Sequence, residues 1–353
     1  MIQVGVGGRG GHWLDFIAQR KDVVPVAFVD ASPEALKRMR ARPGFEKIAC
    51  FERLEEALRS VPADFALIAS PSLLHAPHAL QALDAGLAVL VEKPFGSNLA
   101  EATALARRAR EKGRPAVVAE NYRFFQAERT LRAFLDSGVA GRVANVVCID
   151  RRDQSSSTQG PWVKSMPHPF LTEIAVHHFD SFRYLFGARP SALSAWSFNL
   201  PSSDYDHEAG AHALIEFPGG PSIQYSGTFV GSRYQFEMTI DAENGDLRTD
   251  RVRVWWRPKG EKSFREVAPQ PLPAGEVLRY PHAGMATILD QFRAAIERRA
   301  VPETHGEDNL WTLAMHEAAI LSAEQRRKVA LAEVFPPSMW LERTSGAAAG
   351  ASV

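Results

Sequence analysis

The sequence predicts a doubly wound parallel α/β sheet, followed by an α+β domain with a largely antiparallel open sheet. Three observations carry this. Strand-length apolar runs alternate with helical segments over residues 1–119, the pattern of successive βαβ units. Those runs are continuous rather than alternating, which suits strands covered on both faces. Beyond residue 143 the runs become alternating and are separated by turn sequences such as Pro218-Gly219-Gly220 and Glu243-Asn244-Gly245.

Residues 2–6 open the chain as a short β-type run. Gly5-Val6-Gly7-Gly8-Arg9-Gly10 follows, and residues 12–20 have a helical pattern. This is G-x-G-x-x-G between a strand and a helix. Gly5 permits the tight turn, Gly7 lets the backbone approach a pyrophosphate, and Gly10 lets helix and strand pack closely. The free N–H groups of the helix start then face the phosphates. Residues 23–30 form the next strand, ending at Asp30, twenty residues past Gly10. A carboxylate there bonds the adenosine ribose hydroxyls and repels a 2′-phosphate, so NAD is expected before NADP. Lys37 and Arg38 lie downstream and temper that preference.

The alternation continues. Ser32 is the expected N-cap of a helix to residue 41, with Pro33 at its first position. Residues 47–51, 64–69, 87–91 and 115–119 complete six strands, with helices over 53–60, 73–85 and 98–112. Right-handed crossovers bring Gly5 to Gly10, Asp30, Ser70 to Ser72 and Glu92 to Pro94 to one edge of a Rossmann-type sheet. Val89-Leu90-Val91-Glu92-Lys93-Pro94 is the central stretch: an apolar strand that ends in a charged pair and stops at proline. Open α/β sheets bind ligands at such strand ends.

In the second half, residues 143–150 form a strand and 151–168 a polar, irregular segment. A helix follows over 170–186, then strands over 192–198, 211–217, 222–229, 234–241, 246–249 and 252–256. Two closing helices, 283–299 and 307–327, are expected to return to the first domain. The expected division is 1–121 for the nucleotide domain and 122–335 for the second, with 345–353 a loose tail.

The chain has 353 residues and 45% hydrophobic content, room for two ordinary domains. Its 41 basic and 41 acidic residues balance to a formal charge of +0, which gives no broad attraction to nucleic acid or an anionic membrane. Cys50 and Cys148 are the only cysteines, so no disulfide framework is implied and a reducing cytoplasm is the simplest setting. No segment has the length and apolarity of a membrane span, and the amino terminus lacks a signal-peptide pattern. No metal site is expected: His-Glu-x-x-His is absent, and the adjacent His177 and His178 point apart.

Ala69-Ser70-Pro71-Ser72-Leu73-Leu74-His75, Ala82-Leu83-Asp84-Ala85-Gly86 and Val91-Glu92-Lys93-Pro94 closely resemble the Gfo/Idh/MocA oxidoreductases. That family is named for glucose–fructose oxidoreductase, inositol dehydrogenase and a rhizopine-catabolism protein. The resemblance continues through Asn121-Tyr122-Arg123-Phe124 and Gly138-Val139-Ala140-Gly141-Arg142-Val143, and runs to about Leu331. It implies NAD held by Gly5, Gly7, Gly8, Arg9, Gly10, Asp30, Ser70, Pro71, His75, Glu92, Lys93 and Asn121.

Glu173, His177 and Asp180 lie four and then three residues apart, on one face of the helix over 170–186. Glu173-Ile174-Ala175-Val176-His177-His178-Phe179-Asp180 resembles a family helix of the form Asp-x-Gly-x-His-x-x-Asp. In the family the first acid and the histidine complete the catalytic site with the lysine of Glu-Lys-Pro. Here Glu173 replaces the usual aspartate and Ala175 the usual glycine. The resemblance implies His177 as general base, Lys93 bonding the same substrate oxygen, and Glu173 holding His177 or a neighbouring hydroxyl. Tyr122, Arg123, Gln154, Trp162 and His178 are expected near the substrate, although a structural ion pair serves Arg123 equally well. The expected substrate is a sugar, cyclitol or related polyol, and the expected assembly a homodimer or homotetramer. A sensor that binds the dinucleotide without turnover and a glycoside hydrolase that uses tightly held NAD are the competing functions.

Overall fold

The computed structural model describes residues 1–154, 161–187 and 189–340. The expected tail at 345–353 lies outside them. The first sheet holds β1 (Ile2–Val4), β2 (Ala27–Val29), β3 (Ala49–Phe51), β4 (Phe65–Ile68), β5 (Ala88–Val91) and β6 (Ala116–Val118). All pairs are parallel, in the order β3-β2-β1-β4-β5-β6. The strands β1, β2, β4, β5 and β6 are buried throughout, as their continuous apolar character requires. The helices α1 (Gly8–Ile17), α2 (Pro33–Arg40), α3 (Leu54–Ser60), α4 (His75–Asp84) and α5 (Leu99–Lys112) connect them.

Local chemistry sets the boundaries. Ser32 caps α2 by accepting from the Ala35 amide at 3.2 Å, and Asn98 caps α5 by accepting from the Glu101 amide at 2.9 Å. Gly113 ends α5 with φ +60. The strand expected over 23–30 is cut to Ala27–Val29, because Pro25 has no amide to give a ladder. The first helix starts earlier than the apolar pattern indicates, with Gly7 as its N-cap, so Gly8 and Gly10 sit in its first turn.

After a helix that the apolar pattern left unassigned, α6 (Gln126–Asp136), the chain enters a second sheet. Among the described residues it contains β7 (Val143–Asp153), β8 (Ala192–Phe198), β9 (Gly210–Glu216), β10 (Ser222–Thr228), β11 (Val230–Ala242), β12 (Gly245–Thr249), β13 (Val254–Pro258), β14 (Arg265–Glu266) and β15 (Val329–Ala330). Their order is β14-β13-β12-β11-β7-β10-β9-β8-β15. Only the central β7–β10 pair is parallel, so the sheet is largely antiparallel.

A short helix, α7 (Pro161–Lys164), precedes the segment that joins the two halves. The helix expected over 170–186 begins as a π-helical turn, Leu171–Ala175, and continues as α8 (Val176–Phe186). Phe179 and Phe182 of α8 meet the Tyr225 ring on β10 edge-on, each with centroids 5.9 Å apart. Two closing helices return to the first domain. The first, α9 (Met285–Ile296), buries Met285, Ile288, Leu289 and Phe292 with Trp13, Phe65 and Leu90. The second, α10 (Gly306–Gln325), packs on both α5 and α8.

A buried ion cluster fastens α8 to the strand ends. The Arg123 guanidinium forks onto the Asp180 carboxylate, reaches Asp308 at 3.1 Å and donates to the Glu303 carbonyl at 2.9 Å. Asp180 also accepts from the Thr312 hydroxyl at 3.1 Å. Burial raises the Asp180 pKa against the pull of Arg123. Removing the guanidinium leaves a carboxylate that is 1% exposed without its main partner. We expect Arg123→Ala to lose about 3–5 kcal/mol of stability near neutral pH, read as a lowered thermal midpoint. Because protonation relieves the stranded acid, the loss should shrink as pH falls. Equal loss at pH 5 and pH 8 would contradict a buried-charge origin.

Candidate functional site

The carboxyl ends of the parallel strands form one lined edge. Gly5 has φ +84, and a Cβ there would lie 2.4 Å from the Ala69 carbonyl oxygen. A Cβ on Gly10 would lie 2.2 Å from the Gly5 carbonyl oxygen. A Cβ on Gly7 would meet nothing within 4 Å, so the loop closes tightly below and opens above, towards the helix start. Asp30 holds the loop in place: its carboxylate accepts from the Val6 amide at 3.0 Å and the Ser32 amide at 2.9 Å. An open backbone at a helix start, with a fixed carboxylate at the next strand end, fits the phosphates and ribose of a dinucleotide.

Arg9 turns away from the loop. It donates to Glu92 at 2.8 Å and to the Pro281 carbonyl at 2.6 Å. The Trp13 indole donates to the same Glu92 oxygen at 2.6 Å. Burial works to raise the Glu92 pKa, but Arg9 and Trp13 outweigh it and hold the acid below its ordinary value. Ser70 and Pro71 lead into a 3₁₀ turn after β4. The two ring nitrogens of His75 lie 2.7 Å from the Pro94 carbonyl oxygen and 2.8 Å from that of Ser70. His75 is 2% exposed, its ring lies between the loops after β4 and β5, and burial lowers its pKa. Asn121 donates to the Ala283 carbonyl at 3.0 Å and pins the chain leading into α9.

Lys93 stands at the end of β5, and its ammonium donates to Glu173 twice: to the carboxylate at 2.7 Å and to the backbone carbonyl at 3.0 Å. An ammonium has three donors, so one is left for a ligand oxygen. Burial pulls the Lys93 pKa down, but the Glu173 carboxylate more than offsets it and keeps the charge in place. The π-helical turn aims both the side chain and the carbonyl of Glu173 at one ammonium.

His177 does not bond Glu173. Its Nδ1 lies 2.6 Å from the Glu120 carboxylate, at the end of β6, and Tyr122 stacks on the ring with centroids 4.3 Å apart at 16°. The expectation that Glu173 holds His177 is therefore corrected: Glu173 takes the lysine and Glu120 takes the histidine. Burial, and then the Lys93 charge, hold the His177 pKa well below 6.5. Burial pushes Glu120 up to about 7 against the pull of Lys93 and Arg123. Glu120 was missed in the sequence. The signal was available, since Glu120 follows the edge strand beside the one that ends in Glu92.

The shared helix face also divides. Glu173 and His177 face the strand ends, whereas Asp180 serves the Arg123 cluster. Arg123 is 5% exposed and spends four of its five N–H donors in that cluster. His178 is 1% exposed, with Nδ1 2.7 Å from the Tyr225 hydroxyl and Nε2 3.1 Å from Asp150. Burial and Arg251 push its pKa down to about 3, so it is a neutral part of the second sheet's polar network. The Gln154 backbone N–H donates to the Phe229 carbonyl at 2.9 Å, and Trp162 is 51% exposed on α7. Residues 155–160 between them lie outside the described residues. Among the described residues no helix is long and apolar enough to cross a membrane.

Comparison with known proteins agrees with this geometry. Residues 2–120 match the oxidoreductase family with an NAD-binding Rossmann fold, and residues 129–248 match the GFO/IDH/MocA C-terminal domain. An uncharacterized protein, y4oX, of Sinorhizobium fredii is 31% identical over 264 residues, 72% of this chain and 73% of its own. A D-apiose dehydrogenase of Paraburkholderia graminis is 27% identical over 330 residues, 92% of this chain and 87% of its own. The fold matches an Agrobacterium radiobacter oxidoreductase solved with NAD+, L-tartaric acid and magnesium, with a TM-score of 0.82 at 21% identity, covering 94% of this chain and 98% of that one. The chain belongs to the GFO/IDH/MocA family and is an NAD(P)-dependent dehydrogenase built on its NAD-binding Rossmann fold.

Proposed function

We propose that this chain oxidises a secondary alcohol of a sugar, cyclitol or related polyol, with NAD as the hydride acceptor, Lys93 and His177 acting at the alcohol oxygen. The observation that carries this is a neutral buried imidazole beside a charged lysine with one free donor, both at the carboxyl edge of the parallel sheet. The D-apiose dehydrogenase relative supports the substrate class. The bound nicotinamide supplies the hydride acceptor. His177 takes the hydroxyl proton on Nε2. Lys93 stabilises the negative charge that develops on that oxygen. Glu173 keeps the ammonium charged and aimed.

Glu120 is a positioning residue. When ionised, it accepts from His177 Nδ1–H and leaves Nε2 free to take a proton. When protonated, it donates to Nδ1, so the ring proton moves to Nε2 and the base is blocked. The preference for NAD over NADP rests on Asp30, whose carboxylate, fixed by two amides after β2, would repel a 2′-phosphate.

Three measurements test the proposal. Lys93→Met should lower kcat by about a hundredfold to a thousandfold across a panel of inositols, aldoses and sugar acids, with NADH affinity nearly unchanged. Loss of NADH binding would instead make the lysine a structural residue. For the wild type, kcat/KM for alcohol oxidation should rise with pH through about 7 as Glu120 ionises. Glu120→Gln should lose at least about tenfold in kcat and abolish that limb; an unchanged profile would remove Glu120 from the site. Finally, Asp30→Ser should reduce the ratio of NAD to NADP efficiency by at least about tenfold. Tight NADH binding without turnover on any compound would favour the sensor or the NAD-dependent hydrolase.

A further inference from the structure

Outside the catalytic edge, α1 and the chain before α9 bring together three ligand-type side chains that the dehydrogenase chemistry does not use. His12 and Asp15 are three residues apart on α1, one turn of the same helix face. His282 faces them from the segment that precedes α9. One donor atom from each lies within 4.8 Å of the other two. On a tetrahedral zinc ion with bonds of ~2.1 Å, such donors sit about 3.4 Å apart, so a closure of at most about 1.4 Å completes the set.

Two further observations point the same way. The Nε2 atom of His282 is buried and has no hydrogen-bond partner, which is costly for a polar nitrogen and is remedied by a metal. Arg42 donates to Asp15 Oδ1 at 2.5 Å, which orients the carboxylate and leaves Oδ2 for a cation.

We infer that His12, Asp15 and His282 form a binding site for a divalent ion of the zinc and cobalt class. Two imidazoles and one carboxylate suit that class and leave a fourth position for water. The site would act as a clasp. The segment carrying His282 also supplies the Pro281 carbonyl to Arg9 and the Ala283 carbonyl to Asn121. An ion here would tie that segment to the helix that follows the glycine loop. No local motif marks these ligands, because His282 lies some 270 residues after His12 in the chain.

The test uses the full chain, freed of metal by a chelator. Cobalt chloride titration should give one ion per chain with visible d–d bands of low-coordinate geometry, and zinc chloride should displace it. His12→Gln and His282→Ala should each weaken cobalt binding by tenfold or more, whereas His207→Ala, an exposed histidine elsewhere, should not change it. Retained NADH binding in each variant shows that it is folded. Zinc should raise the thermal midpoint of the wild type and not that of His282→Ala. No cobalt binding up to millimolar concentration, or equal binding by both histidine variants and the wild type, would overturn the inference.

Discussion

A charge buried away from water persists only if a partner meets it there. That constraint governs the edge where β5 and β6 end. Glu92, Lys93 and Glu120 are all withdrawn from solvent within a few residues of one another, and none is neutralised by its own strand. Glu92 is met by Arg9 and Trp13 of α1, Lys93 by Glu173 of the π-helical turn, and Glu120 by His177 of α8. Each partner comes from a different element. Docking the second sheet on the first and assembling the dehydrogenase chemistry are therefore one event.

The adjacent histidines show how finely this divides a helix. His177 enters the strand-end site, where its free nitrogen can meet a substrate. One residue on, His178 joins Asp150, Tyr225 and Arg251 on the face of the second sheet. Both are buried and neutral, so burial alone does not separate the proposed base from scaffold. The partner does: a carboxylate at the nucleotide edge in one case, a sheet network in the other.

Much of the first domain was legible, because parallel strands leave continuous apolar runs and the glycines mark backbone that no side chain can occupy. Asp30, Glu92 and Lys93 could be placed from strand ends alone. The helix over Gln126–Asp136 was missed although Ala127, Leu131 and Phe134 mark its apolar face. The exchange of partners between Glu173 and Glu120 could not be read. An ideal helix carries Glu173, Asp180 and His177 on one face, and the π-helical turn that shifts Glu173 leaves no mark in residue type. Distant clusters such as Arg123 with Asp180 and Asp308 depend on how two domains meet, which no local pattern encodes.

The second sheet has a history written into its strand order. Its middle strand, β7, is made first, yet its neighbours β10 and β11 follow only after β8 and β9. While the ribosome works, β7 has two open edges and nothing to pair with. The nucleotide domain's six strands are by then complete, so the nascent chain carries a formed sheet beside an unpaired apolar ribbon. Non-local pairing of this kind slows closure, and the vulnerable interval ends only when about 242 residues have emerged. Asn145 before and Asp150 to Asp153 after the apolar run Val146 to Ile149 put polar and charged gatekeepers at both ends of that waiting strand.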